Sequence, residues 1–590
     1  MPTECRFRQL TFVGATLIAM FLSSCGGSSQ PTITDESGRK TPAATEARSP
    51  SATSSPELTR IRSDSDWFDD ITESTGIVFT YRNGAEANQF TILETVGGGV
   101  GIFDFDCDRQ QDVFCVGGGT IDPGSVTPSG LPCHLFHNIG DFQFKDVTVS
   151  GHIPSDTDYS HGCVAGDIDN DGFPDLFVTC YGRSCLMLNC GDGTFIDMTN
   201  SAGLADESWS TAAAFGDVDG DGSADLYVTS YTDWSPKSHT PCGNSIDQTI
   251  DVCPPQNYNP LPDRLYRNQG NGEFQEVSEE MGIRKDGMGL GVLAADINED
   301  GQVDFFVAND AVANRLYLSS ERYSFIETAE VAGVAYNDGG SPEGSMGIDA
   351  EDIDGDGLCE LWVTNFEMED NSLFQNQGNG LFQHATAAFG LAGQSRINVG
   401  FGTGLHDLDG DSWMDVYVFN GHVLYNNGLT PFRQPAFVFR NLDGRKFADV
   451  TGSAGTWFHV PHSARGGAVG DLDGNGMLDL VTSSINEPTA ILRNQLPVKN
   501  WIRLQLVGRH SSRIPVGARV TVKAFGRSCV RLAKSGSGFL SQSDSRILFA
   551  IEPERAEVDV EVAWPSGKYE TFRARATATD HVLIEDSGAD

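Results

Sequence analysis

At 590 residues, 39% hydrophobic and 9% aromatic, the chain has ample apolar material for a fold, yet it is too long for one ordinary core unless that core is built from repeats. Its 82 acidic and 39 basic residues leave a formal charge of −43, which argues against nucleic acid or an anionic membrane surface as partner and fits a protein that expects cations.

The chain opens as an export signal. Arg6 and Arg8 precede an apolar run from Leu10 to Leu22, too short to span a bilayer, and the small pair Ser23 and Ser24 follows. Leu22, Ser23, Ser24 and Cys25 resemble the lipobox of bacterial lipoproteins, which implies that Cys25 is lipidated and becomes the mature N-terminus; plain secretion with a chance cysteine is the alternative. Gly26 stands where some bacterial lipoproteins carry the Asp that holds them in the inner membrane, so the expected location is the outer membrane or cell surface. From Gly26 to about Asp64 the chain is mostly Ser, Thr, Pro and Gly and cannot bury a core. The expected plan is a signal over 1–25, a tether over 26–64, a repeat domain over 65–497 and a small β domain over 498–590.

Within the repeat domain one acidic motif recurs seven times: DFDCDRQQD at Asp104, DIDNDGFPD at Asp167, DVDGDGSAD at Asp217, DINEDGQVD at Asp296, DIDGDGLCE at Asp352, DLDGDSWMD at Asp407 and DLDGNGMLD at Asp471. Intervals of 63, 50, 79, 56, 55 and 64 residues suit one four-stranded unit per copy. Each copy lies between a Gly-rich run and an apolar run such as LFVTC or LWVTN, the pattern of two strands joined by a tight loop. A second motif, of the type FIDMTNSAGL, follows each of the first six loops, is missing after the seventh, and stands as FDDITESTGI at Phe68–Ile77 before the first. The N-terminal strand is therefore expected to complete the last unit, predicting an all-β, seven-bladed propeller without exposed sheet edges.

Four acidic residues within nine positions repel one another unless a cation lies among them. Positions 1, 3, 5 and 9 of the seven loops are Asp104, Asp106, Asp108 and Asp112; Asp167, Asp169, Asp171 and Asp175; Asp217, Asp219, Asp221 and Asp225; Asp296, Asn298, Asp300 and Asp304; Asp352, Asp354, Asp356 and Glu360; Asp407, Asp409, Asp411 and Asp415; Asp471, Asp473, Asn475 and Asp479. Hard oxygens at alternate positions, a backbone carbonyl at position 7 and a closing carboxylate make a calcium cage, whereas magnesium would demand a stricter octahedron. An EF-hand would need Glu at position 12, and that position holds Cys115, Val178, Val228, Val307, Val363, Val418 and Thr482. A single such stretch reads equally as a solvated turn; seven in register do not. Up to seven calcium ions are expected, and they would take the formal charge from −43 to −29. Arg109 and Ser412 replace the turn glycine in the first and sixth loops, and Asn298 and Asn475 lower the charge of the fourth and seventh. Affinities of roughly 10⁻⁴ to 10⁻³ M, usual for extracellular modules, make these structural staples.

The 13 cysteines include Cys5 in the signal and Cys25. Of the rest, Cys242 and Cys253 in TPCGNSIDQTIDVCPP are the expected disulfide, and the others fall mostly in strand-like runs as buried thiols.

These repeats resemble the FG-GAP or VCBS repeats of integrin-α-type propellers. The tail segments NWIRLQLVGRHSSRIPVGARVTV, SGSGFLSQSDSRILFAI and VDVEVAWPSGKYETF resemble the ASPIC/UnbV domain, which follows such propellers in the cartilage acidic protein family. The resemblance spans residues 65–588 and implies calcium binding and extracellular recognition or adhesion, without a catalytic activity to transfer. Read alone, Trp501–Glu585 is a small all-β domain in which Trp564 packs in the core or a turn.

Propellers place ligands over the central channel. Glu94, His161, Glu343, Asn398, His462 and Arg465 precede the loops, and Asn420 and His422 follow a loop strand. They are expected either to hydrogen-bond neighbouring units or, if they converge, to form a polar, metal-binding or acid–base site. No nucleophile elbow, HExxH, P-loop or dinucleotide fingerprint occurs. Two functions compete: a calcium-stapled recognition or adhesion lipoprotein that binds an extracellular protein or glycan, and a lyase or hydrolase acting on extracellular polysaccharide. A purely structural surface scaffold is a third.

Overall fold

The computed structural model describes residues 66–589 except 244–248, 271, 321–323, 427 and 498. The expected signal, Cys25 and the tether lie outside the described residues. Each acidic loop joins the first two strands of an antiparallel four-stranded sheet, and seven such sheets occur among the described residues. The second sheet is representative: Tyr159–Gly166, Asp175–Tyr181, Cys185–Asn189 and Phe195–Asp197 follow one another in space as in sequence. In the seventh, Ala464–Gly470, Asp479–Ser484 and Ala490–Asn494 are followed in space by Phe68–Asp70, whose Phe68 lies opposite Asn494. The displaced N-terminal motif thus supplies the outer strand that the last repeat lacks.

The sequence character of each strand follows its place. Second strands such as DLYVTS and DFFVAN are buried along their whole length, because sheets pack on both of their faces, and so they read as continuous apolar runs rather than alternating ones. Outer strands bury only their leading Phe, as in Phe195–Asp197 and Phe274–Glu276. First strands are rich in Gly and Ala, as in STAAAFG, GLGVLAA and ARGGAVG. They are the crowded ones: Val100–Phe103, Tyr159–Gly166, Ser210–Gly216, Gly289–Ala295, Ile348–Glu351, Gly400–His406 and Ala464–Gly470 each contact the next, and the last contacts the first.

The C-terminal domain packs a sheet of Asn500–Val507, Ile547–Ile551 and Thr579–Ile584 against one of Arg519–Ala524, Arg527–Leu532, Glu557–Ala563 and Tyr569–Arg575. Ile502, Val520, Phe549, Val560 and the buried Trp564 share its core, so Trp564 is a packing residue.

Between two strands of this domain, Ser535–Asp544 leaves it and threads the space enclosed by the seven first strands. Its backbone exchanges hydrogen bonds with Ala294 and Ile348, accepts one from Cys163, and pairs Gln542 with Val100 and Ile102. The Ser535 and Ser541 hydroxyls receive the Phe215 and Val100 amides, and Ser543 receives that of Val469. Phe539 and Leu540 are buried in the apolar cluster that fills the centre, with Leu290, Val292, Met346 and Phe401. The fit requires glycine at position 99, where a Cβ would lie 1.7 Å from the Leu540 carbonyl oxygen. The SGSGFLSQSDS stretch is therefore a plug packed among the first strands.

Candidate functional site

Six of the acidic loops share one hydrogen-bonding scheme, and in the fifth Asp352 instead accepts the Gly355 amide at 2.7 Å. In the second, the Asp167 carboxylate accepts the amides of Asp171 (3.1 Å) and Gly172 (2.9 Å), while Asp171 accepts that of Phe173 at 2.8 Å. The turn needs a left-handed residue at position 6, and Gly172 has φ 99°. Arg109 and Ser412 adopt the same conformation, with φ 77° and 70°, and their amides reach Asp104 and Asp407 at 2.8 Å as a glycine's would. Loss of the glycine strains these two loops without changing their path.

Position 9 is more deeply engaged than a ligand list implies. In the second loop one oxygen of Asp175 receives the Ile168 amide at 2.9 Å and the other the Asn189 amide at 2.8 Å. The same pair of bonds recurs at Asp112, Asp225, Asp304, Glu360 and Asp479. The third-strand asparagine then carries the connection onward. Asn189 donates to Phe105 O, Asn268 to Ile168 O, Asn376 to Ile297 O, Asn441 to Ile353 O, Asn494 to Leu408 O, and Asn138 to Leu472 O. Each ties its own loop to the loop of the preceding sheet, and Asn138 ties the first to the seventh. Ser319 stands in this place in the fourth sheet. These asparagines were legible only as the repeated Asn before a Gly-containing turn, in RNQGNG and LNCGDG.

The electrostatics fit a cation. Burial, reinforced by neighbouring carboxylates, pushes Asp167 and Asp217 up to about 6, Asp175 to about 8 and Glu360 to about 9. Side-chain oxygens lie within 4.8 Å of one another in Asp104, Asp106 and Asp108; in Asp167, Asp169 and Asp175; in Asp217, Asp219 and Asp225; and in Asp352, Asp354 and Asp356. An all-oxygen set at this spacing suits calcium, and an ion there would offset negative charge that burial disfavours.

The C-terminal domain sits on this acidic end through arginines. Arg503 reaches Asp471 at 2.6 Å and Asp580 at 2.7 Å; Arg513 lies 3.9 Å from Asp167; Arg531 donates to Ser412 O at 3.1 Å and Arg546 to Arg109 O at 3.2 Å; and Arg519 contacts Gly357 O. Third-strand cations add to this. Arg440 spans Asp409 (2.6 Å) and Asp411 (2.9 Å), so the sixth loop already holds a guanidinium.

The channel-face residues lie at the opposite ends of the first strands, and the structure does not assemble them into one pocket. His161 is fully buried; its Nδ1 donates to Gly97 O at 2.9 Å, Trp209 donates to its Nε2 at 3.1 Å, and burial pulls its pKa down to about 4. Glu94 accepts from the Thr91 amide (2.8 Å) and hydroxyl (3.1 Å) and from Tyr425 (3.3 Å). Glu343, pushed up to about 7 by burial, accepts from Asn365 (3.0 Å) and Ser372 (2.8 Å). Arg465, fully buried, donates to the carbonyls of Thr95, Gly421, Ala464 and His422 and lies 4.0 Å over the Phe401 ring. His422 accepts the Leu424 amide at 2.9 Å and lies 3.4 Å from Glu367. His462 bonds Glu487 at 2.7 Å and stacks on Trp457, with centroids 4.1 Å apart. Asn420 donates to Pro435 O at 2.7 Å, and Asn398 is buried beside its turn to Ser395. Most of these polar atoms bond backbone or side-chain partners within the interior, while Asn420 Oδ1 and His462 Nε2 are buried without a hydrogen-bond partner.

Above them, the connection after the sixth sheet's second strand crosses to the insertion of the third sheet, where Tyr425 and Asn426 donate their amides to Asp251 at 3.1 and 2.7 Å. That insertion carries the Cys242–Cys253 disulfide on the short pairing of Cys242–Gly243 with Ile250–Asp251. Among the described cysteines, Cys107 and Cys190 are exposed free thiols and Cys115, Cys133, Cys163, Cys180, Cys185, Cys359 and Cys529 are buried ones.

Comparison with known proteins gives three results. The FG-GAP-like repeat model matches residues 104–178, 167–228, 252–307, 296–363 and 352–418, and the ASPIC and UnbV model matches 508–590. Cartilage acidic protein 1 of Mus musculus is 27% identical over 314 residues, and that of Homo sapiens 26%; the match covers 52% of this chain and 38% of either relative. A solved Agrocybe aegerita lectin, described as recognising non-reducing terminal N-acetylglucosamine, aligns with TM-score 0.38 at 14% identity over 65% of this chain and 85% of its own.

Proposed function

From a chain of FG-GAP-like repeats that ends in an ASPIC and UnbV domain and is homologous to cartilage acidic protein 1, we propose an exported, lipid-anchored calcium-binding module that recognises an extracellular protein or glycan. Its seven sheets form a seven-bladed propeller, closed by the outer strand Phe68–Asp70 and by the Asn138 bond to Leu472 O. Calcium occupies the acidic loops, with the carboxylates at positions 1, 3 and 5 as its main side-chain ligands and position 9 shared between the ion and the backbone. Calcium would supply the positive charge that four closely set acids lack. The chain's own amides orient those acids, and the arginines of the C-terminal domain complete the neutralisation from outside.

The observation that carries this reading is the division of labour between the two ends. The loop end is covered by the C-terminal domain and the channel is filled by Ser535–Asp544, while the residues that a polysaccharide enzyme would need are hydrogen-bonded within the interior. Recognition then falls to the end that carries the long connections around Asp251 and Tyr425. Anchoring through Cys25 would hold the module at the outer membrane or cell surface. Saturable binding to a panel of extracellular glycans and proteins, present in calcium and lost in chelator, is the expected result. Release of product from a polysaccharide, abolished by Glu343→Gln or His462→Ala, would instead assign the enzyme.

A further inference from the structure

Where the plug leaves the C-terminal domain, Lys534 enters an enclosed site formed by the first strands of the fifth and sixth sheets. Its Nζ lies 2.6 Å from Asp349 Oδ1, 2.8 Å from Glu351 Oε1 and 2.9 Å from Ala350 O, so each ammonium hydrogen has one acceptor. Asp349 is 1% exposed. Its Oδ2 accepts the Leu405 amide and its Oδ1 the Ala350 amide, both at 2.8 Å, which fixes the plane of the carboxyl and polarises it. Leu405, Leu532, Met414 and Ile547 line the site with His406, beside a cavity of about 80 Å³. His406 lies 3.9 Å from Asp349, farther than the 2.6 Å contact of Lys534.

We propose that Lys534 and Asp349 condense into an amide, a covalent lock that holds the plug in the ring. Burial opposes the charge on Lys534, yet Asp349 and Glu351 outweigh it and hold its pKa above the usual value; the starting state is the ammonium–carboxylate pair. A proton first passes from Nζ to Asp349, giving an amine beside a neutral carboxyl; the Nζ–Cγ bond then forms as the Cγ–OH bond breaks, and Glu351 relays the second proton to the departing hydroxyl. Two of the three ammonium hydrogens leave with that oxygen as water and the third stays on the amide nitrogen, so one positive and one negative charge become a neutral group, and no oxidant or co-reactant is consumed. In water this equilibrium lies toward the ions. Here both partners are immobilised, which raises effective concentration by orders of magnitude, and the amide removes the cost of keeping two charges out of water. Ala350 O and Glu351 act as positioning groups that hold Nζ against Cγ, and the adjoining cavity receives the water. The linkage joins positions 185 residues apart, from the C-terminal domain to the wall of the ring.

Tryptic mapping of the folded full chain decides the matter without any variant. Expected is resistance to cleavage after Lys534 and a branched peptide that joins the Lys534 and Asp349 segments, about 18 Da lighter than the two linear peptides together. The Lys534→Arg chain should release both segments in linear form. Recovery of the linear, unmodified peptides from the wild-type chain, with normal cleavage after Lys534, would overturn the proposal and leave a buried ion pair.

Discussion

The acidic loops and the channel-face residues sit at opposite ends of the same seven strands, and they teach opposite lessons about reading chemistry from residue type. At the loop end the acids are repeated, oriented by backbone amides and pushed above the carboxylate range by burial, the setting from which cation binding is proposed. At the other end, Glu94, His161, Glu343 and Arg465 look equally reactive as a list, yet each is already satisfied by carbonyls, amides or hydroxyls. A polar residue that finds its partners inside the fold is part of the packing. At the loops the amides and arginines engage only some of the crowded carboxylate oxygens.

That contrast can be broken at the plug. If Phe539 is central to the interior, as its complete burial and its 5.0 Å centroid distance to Phe401 indicate, Phe539→Ala should cost about 3–5 kcal/mol in denaturant unfolding. An open, functional channel would tolerate the change. Next in size is the strut between loops: Asn268→Ala removes donors to Ile168 O and Ala224 O and the acceptor of the Gly270 amide, and should cost on the order of 2–3 kcal/mol. The equivalent Ser319→Ala, with no asparagine to lose, should cost less. His161→Phe leaves the Trp209 N–H unpaired, while Gly97 O keeps the Tyr81 hydroxyl at 2.8 Å, and should cost about 1–3 kcal/mol, whereas a catalytic histidine would lose activity at little expense in stability.

The smallest effect sharpens the loop side. In chelator, Asp167 and Asp217 at about 6 and Asp175 at about 8 bind protons more tightly in the folded chain than in the unfolded one. The stability they contribute is present below pH 4, where both states are protonated, and is lost as pH rises toward about 8. The melting temperature should therefore fall across that window in chelator, and saturating calcium should flatten the slope.

Much of the architecture was legible because it repeats. The seven DxDxDG-type motifs marked the hairpins, and the displaced FDDITESTGI motif marked Phe68–Asp70 as the partner of Ala490–Asn494. The Cys242–Cys253 pair was legible from its isolated insertion. The plug was not: SGSGFLSQSDS has no strand alternation, and its serines and glycines read as a surface turn although they bond first strands from five sheets or more. Nor could spacing show that Arg440 fills the sixth loop from a strand 29 residues away, or that position 9 spends both oxygens on backbone amides. Those are long-range contacts of single residues, and they leave no period in the sequence.

The most direct test of the account is calorimetric titration of the chelator-stripped full chain with calcium, paired with melting curves. Uptake of several ions per chain with affinities near 10⁻⁴ to 10⁻³ M and a large rise in melting temperature is the predicted result. No uptake, with an unchanged melt, would contradict it and leave seven acidic turns held by their own backbone amides and neighbouring arginines.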